Sequence, residues 1–200
     1  MAKKVSLAVA GSVKAYYICH KIDPNKRNLI LAFTHENIYN IQKELCDAHG
    51  GVPKLTMVST FDSFVYHNFV LPYEPSIVEH FGIPGFVGSG ICIKDPPPMR
   101  IPGRGRSMIP NPYYFKKDRL EHYVTRIRQY YCATLSELVL QVKKNRESLV
   151  KRAVARLNLF YDVVLIDEFQ DFREYDYELI MALAKQFNDV YEKIQQISKD

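Results

Sequence analysis

The sequence predicts an α/β protein whose core is a parallel β-sheet. Over the first 70 residues, short apolar runs alternate with segments of helical apolar spacing, which is typical of a parallel α/β sheet. A later run, Val163 to Ile166, is apolar throughout and mostly β-branched, which indicates a strand buried on both faces. We therefore expect a core formed by residues 1–70 and 159–200, with an insertion at 71–158.

The first part of the chain is predicted to contain three strand–helix pairs. The strands are expected over 5–10, 28–33 and 55–59, and the helices over 16–22, 34–49 and 60–70. Thr34 is expected to cap the second helix at its start, and Gly50 with Gly51 is expected to end it.

The segment from 71 to 112 is rich in Pro and Gly, so we expect an extended linker there and not a part of the core. Apolar residues at helical spacing then predict helices over 117–131 and 134–157. A last helix is expected from about Tyr175, after the strand at 163–166.

Length, cysteine content and hydropathy limit the class of protein. Two hundred residues allow one good-sized core, or one core with a large insertion. The four cysteines lie far apart, which argues against a zinc site or a disulfide framework and suits a reducing compartment. The apolar run near the N-terminus is too short for a signal peptide or a membrane span. A soluble, cytoplasmic protein with no membrane association is therefore expected.

The net charge of +5 is unevenly distributed. Between Lys94 and Arg156 the chain has 15 Lys and Arg against 5 Asp and Glu, whereas the remainder has 12 against 17. A basic segment on a mildly acidic core is typical of proteins that bind a polyanion such as nucleic acid. The alternative is that these charges form ordinary solvated surface.

Two segments have the composition of a nucleotide site. Two adjacent carboxylates, Asp167 and Glu168, follow the 163–166 strand, and ligands of open α/β sheets bind at such strand ends. An acidic pair there suits Mg²⁺ binding and activation of water. After the first strand, a short loop with Lys14 precedes a helix, which is the context of a phosphate-binding loop. The alternatives are a solvated acidic turn and a plain strand–helix connection.

Four segments, in order along the chain, resemble sequence boxes of the UvrD/Rep-type superfamily 1 DNA helicases. Residues 8–15 resemble a degenerate Walker A segment, 31–35 (LAFTH) motif Ia, 58–64 (VSTFDSF) motif Ib, and 167–171 (DEFQD) the Walker B box. The resemblance spans the chain to about residue 183. It implies a RecA-like P-loop NTPase sheet with a mainly helical insertion, and ATP and Mg²⁺ as cofactors.

The resemblance also implies roles for single residues. Phosphate binding is implied for the loop residues Gly11, Ser12 and Lys14. Asp167 would hold Mg²⁺, Glu168 would act as the general base for the attacking water, and Gln170 would sense the γ-phosphate.

The implied partner is single-stranded or partly duplex DNA. Phe33, Thr34, Ser59, Thr60 and Phe64 match positions that line the single-strand path in this family. Stacking on aromatic rings together with phosphate contacts holds bases without sequence preference. The alternative for Phe33 and Phe64 is ordinary core packing.

The chain departs from the family pattern in the phosphate loop. Val13 replaces a glycine beside the phosphates, and Ala15 lacks the hydroxyl that would bind Mg²⁺. Residues 188–193 do not match the next box, and a second RecA-like domain with its arginine fingers would have to come from a C-terminal half or a partner protein. We therefore expect weak nucleotide binding, slow hydrolysis and no unwinding of DNA by this chain alone.

Three functions are compatible with these observations. The first is the ATP-binding domain of a UvrD-like helicase. The second is a non-catalytic pseudo-ATPase that uses the same surface to bind nucleic acid or a partner. The third, a small P-loop kinase, is disfavoured because no set of lid arginines follows a good phosphate loop.

Overall fold

The computed structural model describes residues 4–7, 12–104, 107–144, 147–167 and 173–185. The chain forms two compact units, one of Met1–Phe64 with Val150–Asp200 and the other of Val65–Leu149. The expected insertion, 71–158, overlaps the second unit over 71–149. The identification of the units as a RecA-like core and an accessory region stays a prediction.

The helices and strands are numbered here in chain order. The strands are β1 (Lys4–Leu7), β2 (Asn28–Ala32), β3 (Thr56–Thr60), β4 (Ile91–Cys92), β5 (Arg100–Pro102), β6 (Met108–Pro110), β7 (Tyr130–Tyr131), β8 (Lys143–Lys144), β9 (Glu147–Ser148) and β10 (Val163–Ile166). The α-helices are α1 (Ser12–Lys21), α2 (His35–His49), α3 (Phe61–Val65), α4 (Glu74–Phe81), α5 (Leu135–Gln141), α6 (Leu149–Leu157) and α7 (Glu174–Ala184).

The first unit contains a four-stranded parallel sheet in the order β1-β10-β2-β3. All three strand pairs are parallel, and Leu7, Ile166, Leu31 and Ser59 lie in one row across the sheet. The α/β class with a parallel sheet is therefore confirmed, and the finer RecA-like assignment stays a prediction.

The sheet is buried on both faces at β2. Ile30 and Ala32 belong to a cluster with Cys19 of α1 and with Ile41 of α2. Successive side chains of a strand point to opposite faces, so Leu29 faces away from this cluster, and it is equally buried. This explains why the β2 sequence is apolar throughout and does not alternate.

The connections explain how helices reach both faces. From β1 through α1 to β2, and through α2 to β3, the chain moves across the sheet in one direction. It returns to β10 in the opposite direction, directly after α6. α1 and α2 share one face, since both contribute to the cluster that contains Ile30. Because parallel crossovers are right-handed, α6 is expected on the opposite face.

The ends of α2 are as predicted. The Thr34 side chain accepts a hydrogen bond from the Asn37 N–H at 3.1 Å, which satisfies one free donor of the first turn. At the other end Gly50 has a φ of 73° and its N–H donates to the Cys46 carbonyl. Glycine fits there because the left-handed region carries no side-chain penalty for it.

The second unit combines short helical segments with short strands. Besides α4 and α5 it contains two-stranded pairings of β4 with β7, β5 with β6, and β8 with β9. Its aromatic core includes Tyr123 and Tyr130, which are fully buried. The Glu74 carboxylate accepts hydrogen bonds from the Tyr130 hydroxyl at 2.8 Å and from the Gly88 N–H at 2.9 Å.

Three predictions about the segment between the sheet strands are wrong. The expected helix over 117–131 is a 3₁₀ turn at Leu120–His122 followed by a hairpin over 124–130. The expected helix over 134–157 is interrupted by the β8–β9 hairpin. The expected linker after residue 71 contains α4, whose Ile77 is fully buried.

None of the described helices is long and apolar enough to cross a membrane.

Candidate nucleotide site at the carboxyl edge of the sheet

The carboxyl ends of the four strands meet at one edge of the sheet. The last complete row of paired residues is the one that contains Ile166 and Leu31. Asp167 follows directly, and its N–H donates to the Leu31 carbonyl at 2.9 Å, which continues the ladder by one step. The position of this carboxylate is therefore set by the strand and not by a free loop.

The side chain of Asp167 lies largely in the protein, with 9% of the residue exposed. A carboxylate loses hydration when it is buried, so it requires hydrogen bonds or a cation in compensation. Mg²⁺ is held in proteins by one or two carboxylates together with waters and phosphate oxygens. A strand-end aspartate of this kind suits that role.

The strand order sets the spacing along this edge. The end of β1 lies beside Asp167, because β1 pairs with β10. Neighbouring strands are about 4.8 Å apart, so β2 lies about 5 Å and β3 about 10 Å from β10. The carboxyl ends of β1 and β2 therefore flank Asp167 on its two sides, and the end of β3 lies one strand farther along the edge.

The residues expected to bind nucleotide through the loop after β1 are only partly described. Ser12 and Lys14 lie in the first turn of α1, which follows β1 as the phosphate-loop pattern requires. Gly11, Glu168 and Gln170 lie outside the described residues, as do the side chains of Ser12 and Lys14. Their roles stay predictions.

At the end of β2, Phe33 is half-buried and Thr34 is exposed. The Thr34 hydroxyl oxygen accepts the N–H of Asn37, so one lone pair serves the helix cap. The hydroxyl proton is not used by that bond and is able to point toward a phosphate. Thr34 therefore combines a structural role with a position open to a ligand.

At the end of β3, both hydroxyls make local hydrogen bonds. Ser59 donates to the Thr60 carbonyl at 3.1 Å, and Thr60 accepts the Ser63 N–H at 3.3 Å, which caps α3. Phe64 is only 1% exposed, so its ring packs in the core as the alternative interpretation anticipates. A stacking role for Phe64 would require its ring to move, whereas Phe33 is accessible.

The negative charge of Asp167 contributes to the raised pKa of a buried thiol on α1. The Cys19 thiol is fully buried, and burial raises its pKa to about 12, with further contributions from the negative charges of Glu44 and Asp167. Its Sγ lies 3.7 Å from the Ile41 carbonyl, which suits a protonated donor. Cys19 is therefore a packing residue and not a nucleophile.

At the amino ends of β10 and β2, opposite the candidate site, an ion pair joins Asp162 and Arg27. Asp162, just before β10, accepts from the backbone N–H of Arg27 at 3.0 Å and from its Nε at 2.9 Å. The hydrogen bond to Asp162 raises the pKa of the Arg27 guanidinium. The two aspartates at the ends of β10 thus have different environments, one held by arginine and one at the candidate site.

Among the described residues, no group of three or more His, Cys, Asp or Glu could hold a metal ion.

A second group of residues was missed by the sequence interpretation. In the Val65–Leu149 unit, guanidinium groups lie over aromatic rings: Arg126 is 4.7 Å from the Tyr113 ring centroid, and Arg128 is 5.8 Å from that of Phe86. Because the sequence predicted a helix over 117–131, these contacts were not expected. The alternation of Thr125-Arg-Ile-Arg-Gln129 with flanking apolar residues was the available signal for a hairpin.

No protein-family model, curated protein or solved structure matches this chain. The function proposed for it therefore rests on its own residues and on their geometry.

Proposed function

We propose that this chain is the ATP-binding domain of a UvrD-like superfamily 1 DNA helicase, with weakened phosphate binding. In such a protein, nucleotide binding at the sheet edge is coupled to movement along single-stranded DNA. The proposal rests on the sequence boxes and on one observation. The four strands that precede or overlap these boxes are parallel neighbours in one sheet, so their carboxyl ends share one edge.

The order of the strands supports separate positions for nucleotide and DNA along this edge. The carboxyl end of β1 lies beside the end of β10 that carries Asp167, which is compatible with binding of one Mg·nucleotide between the two strand ends. The residues assigned to DNA, at the ends of β2 and β3, lie progressively farther from β1. A nucleotide and a DNA strand would thus occupy neighbouring parts of the edge without competing for the same side chains.

The chemistry assigned to each residue follows from its type. Lys14 would contribute a positive charge to the phosphates of a bound nucleotide, and Asp167 would hold the Mg²⁺ that neutralises their negative charge. Glu168 is the base that orients the attacking water, and Gln170 contacts the γ-phosphate. Mg·ATP supplies the transferable phosphoryl group, and the protein contributes position and charge.

The loop sequence limits the rate that this site is expected to reach. A β-branched Val13 adds bulk where the family has glycine, and Ala15 removes a Mg²⁺ ligand. Without an arginine from a second domain, transition-state charge is poorly compensated. We therefore propose binding with slow turnover for this chain by itself.

The second candidate function is non-catalytic nucleic-acid binding. It is favoured by the exposed arginines and aromatic rings of the Val65–Leu149 unit, which do not depend on the phosphate loop. The two functions are compatible in one protein, but they predict different results with nucleotide.

The test is calorimetry of Mg·ATP binding with three variants. Asp167→Asn should weaken binding at least tenfold in Mg²⁺ and leave Mg²⁺-free binding unchanged, because the carboxylate acts through the metal. Val13→Gly combined with Ala15→Thr should tighten binding, because it restores both the space and the hydroxyl of the loop.

Asp162→Asn is the matched control. It makes the same substitution at the other end of β10, and it should leave the affinity for Mg·ATP unchanged once circular dichroism shows a folded chain. If neither the native chain nor the loop-restored variant binds Mg·ATP, the nucleotide site is refuted. Equal losses in Asp167→Asn and Asp162→Asn would refute the metal role of Asp167.

A further inference from the structure

The hairpin over residues 124–130 has a three-residue tip that is held in one conformation. Val124 and Tyr130 form an antiparallel bridge, and Thr125 donates its N–H to the Gln129 carbonyl at 2.7 Å. The Arg128 N–H donates to the Thr125 carbonyl at 2.9 Å, and the Gln129 N–H donates to the Thr125 hydroxyl at 3.0 Å. The tip is therefore built by its own hydrogen bonds.

The tip is also attached to a neighbouring segment of the same unit. Ser89 donates its hydroxyl to the Ile127 carbonyl at 2.7 Å and its N–H to the Arg128 carbonyl at 2.9 Å. At the base, Tyr130 is fully buried. The hairpin is thus pre-organised, which lowers the ordering cost of binding a ligand.

Arg128 occupies an unusual backbone position. Its φ is 64°, the only positive φ of a non-glycine residue in the described part of the chain. Three-residue hairpin loops place a left-handed residue here, and glycine is favoured because it has no Cβ. An arginine at this position is a strained choice, and strained residues of this kind concentrate at functional sites.

The tip carries two positive charges. Arg126 and Arg128 are exposed, and neither has a carboxylate partner within the described residues. By contrast, Arg119 of the same unit is paired with Glu121 at 2.8 Å. The tip therefore presents two guanidinium groups that are free to bind an anion.

Aromatic and apolar surface accompanies the charge. Tyr113 is 58% exposed beneath the Arg126 guanidinium, and Ile127 between the two arginines is 69% exposed. An acidic peptide would need the charges but not the exposed ring. Phosphates on guanidinium groups with bases stacked on an aromatic ring match the chemistry of single-stranded nucleic acid.

We infer that the tip of the 124–130 hairpin, together with Tyr113, binds the backbone and bases of single-stranded nucleic acid. This site belongs to the second unit and uses none of the residues assigned to nucleotide. It stands whether or not the sheet edge binds ATP, and it is tested without nucleotide.

The test uses fluorescence anisotropy with labelled dT20, between 50 and 300 mM salt. The double variant Arg126→Gln/Arg128→Gln should bind at least tenfold more weakly at 50 mM salt. The slope of log K against log salt should fall in magnitude by about 1.4, because each lost phosphate contact to a single strand removes about 0.7. Tyr113→Ala should weaken binding at least fivefold with the salt slope unchanged, because it removes stacking.

Two further variants separate binding from folding and from general charge. Arg119→Gln removes the same charge from a residue already paired, so its affinity should change less than twofold. Arg128→Gly removes the guanidinium and relaxes the backbone, so it should bind less tightly while melting no earlier than the native chain.

Several results would overturn the inference. One is the absence of dT20 binding at 50 mM salt, and another is native affinity in the double variant. A loss in Arg119→Gln as large as that of the double variant would mean diffuse charge attraction. If polyglutamate competes with dT20 at equal charge concentration, the tip binds acidic protein instead. Failure of ATP binding leaves each of these outcomes unaffected.

Discussion

Gly88→Ala should strongly destabilise the Val65–Leu149 unit, because the added methyl group has no space. A Cβ at this position would lie 2.5 Å from Cε2 of Tyr130 and 2.6 Å from Oε1 of Glu74. Non-bonded carbon atoms pack at about 3.5–4.0 Å, so the neighbours must retreat by about 1 Å. Gly88 has no positive φ, so the substitution adds no left-handed backbone strain to the packing effect.

The magnitude depends on the hydrogen bonds that the two neighbours make. Tyr130 is fully buried and its hydroxyl donates to Glu74, which also accepts the Gly88 N–H. Neither partner is able to move without disturbing a hydrogen bond to a carboxylate, which is worth about 1.5–3 kcal/mol. Overpacking itself costs about 1–3 kcal/mol. The low ends of these ranges give a loss of about 2.5 kcal/mol or more.

The assay is hydrogen–deuterium exchange read by mass spectrometry, because it reports separately on peptides from each unit. Peptides that contain Gly88 and Tyr130 should exchange faster in the variant, while peptides of the parallel sheet should not. Gly51→Ala is the control, since a Cβ there meets no atom within 4 Å and the change should be neutral or slightly stabilising. A loss below about 1 kcal/mol for Gly88→Ala would refute the packing argument.

Two further predictions concern titratable side chains. Iodoacetamide at pH 8 should label the exposed Cys46 and leave Cys19 unmodified in the native chain, because Cys19 is buried and its pKa is raised to about 12. Equal labelling rates of the two cysteines, measured by mass spectrometry, would contradict this prediction. Burial, with the hydrogen bond to Glu74, raises the pKa of Tyr130, so the folded chain keeps a proton that the unfolded chain loses near pH 10. The contribution of Tyr130 to the free energy of unfolding should therefore be constant below about pH 9 and decrease above it, and Cys19 acts in the same direction. In urea titrations, the free energy of unfolding of Tyr130→Phe should decrease less steeply with pH than that of the native chain. An unchanged slope would exclude Tyr130 as a source of the pH dependence.

The sheet could be predicted from sequence because its signals are local and agree with one another. The run Val163–Ile166 is apolar and mostly β-branched, and a polar residue ends it. Thr34 marks the start of α2 because its side chain caps the first turn, and Gly50 marks the end because its backbone adopts a positive φ. The strand order was not predictable, since the position of β10 between β1 and β2 depends on contacts between segments far apart in sequence.

The 117–131 segment could not be predicted for a definite physical reason. Leu120, Tyr123, Ile127 and Tyr130 recur at helical spacing, yet Ile127 is exposed and both tyrosines are buried. Apolar spacing over a dozen residues fits a helix or a hairpin, and a glycine in the turn usually decides. Here Arg128 takes the position that glycine would mark.

The candidate site was predictable only in part. The pattern of Asp167 at a strand end identified the edge of the sheet, and β10 does end there. The pattern did not distinguish Phe33, which is half-buried, from Phe64, which lies in the core. Both follow strands in similar sequence contexts, and only the packing of α3 separates them.

The position of β10 has a consequence for how the chain is made. In the described sheet β1 pairs only with β10, and about 160 residues separate the two strands in sequence. At about 5–20 residues per second, roughly 10–30 s pass on the ribosome before β1 meets its partner. The Val65–Leu149 unit emerges complete before then. During synthesis β1 therefore remains without its partner strand until β10 has been made, and the four-stranded sheet is completed only after the Val65–Leu149 unit has been synthesised.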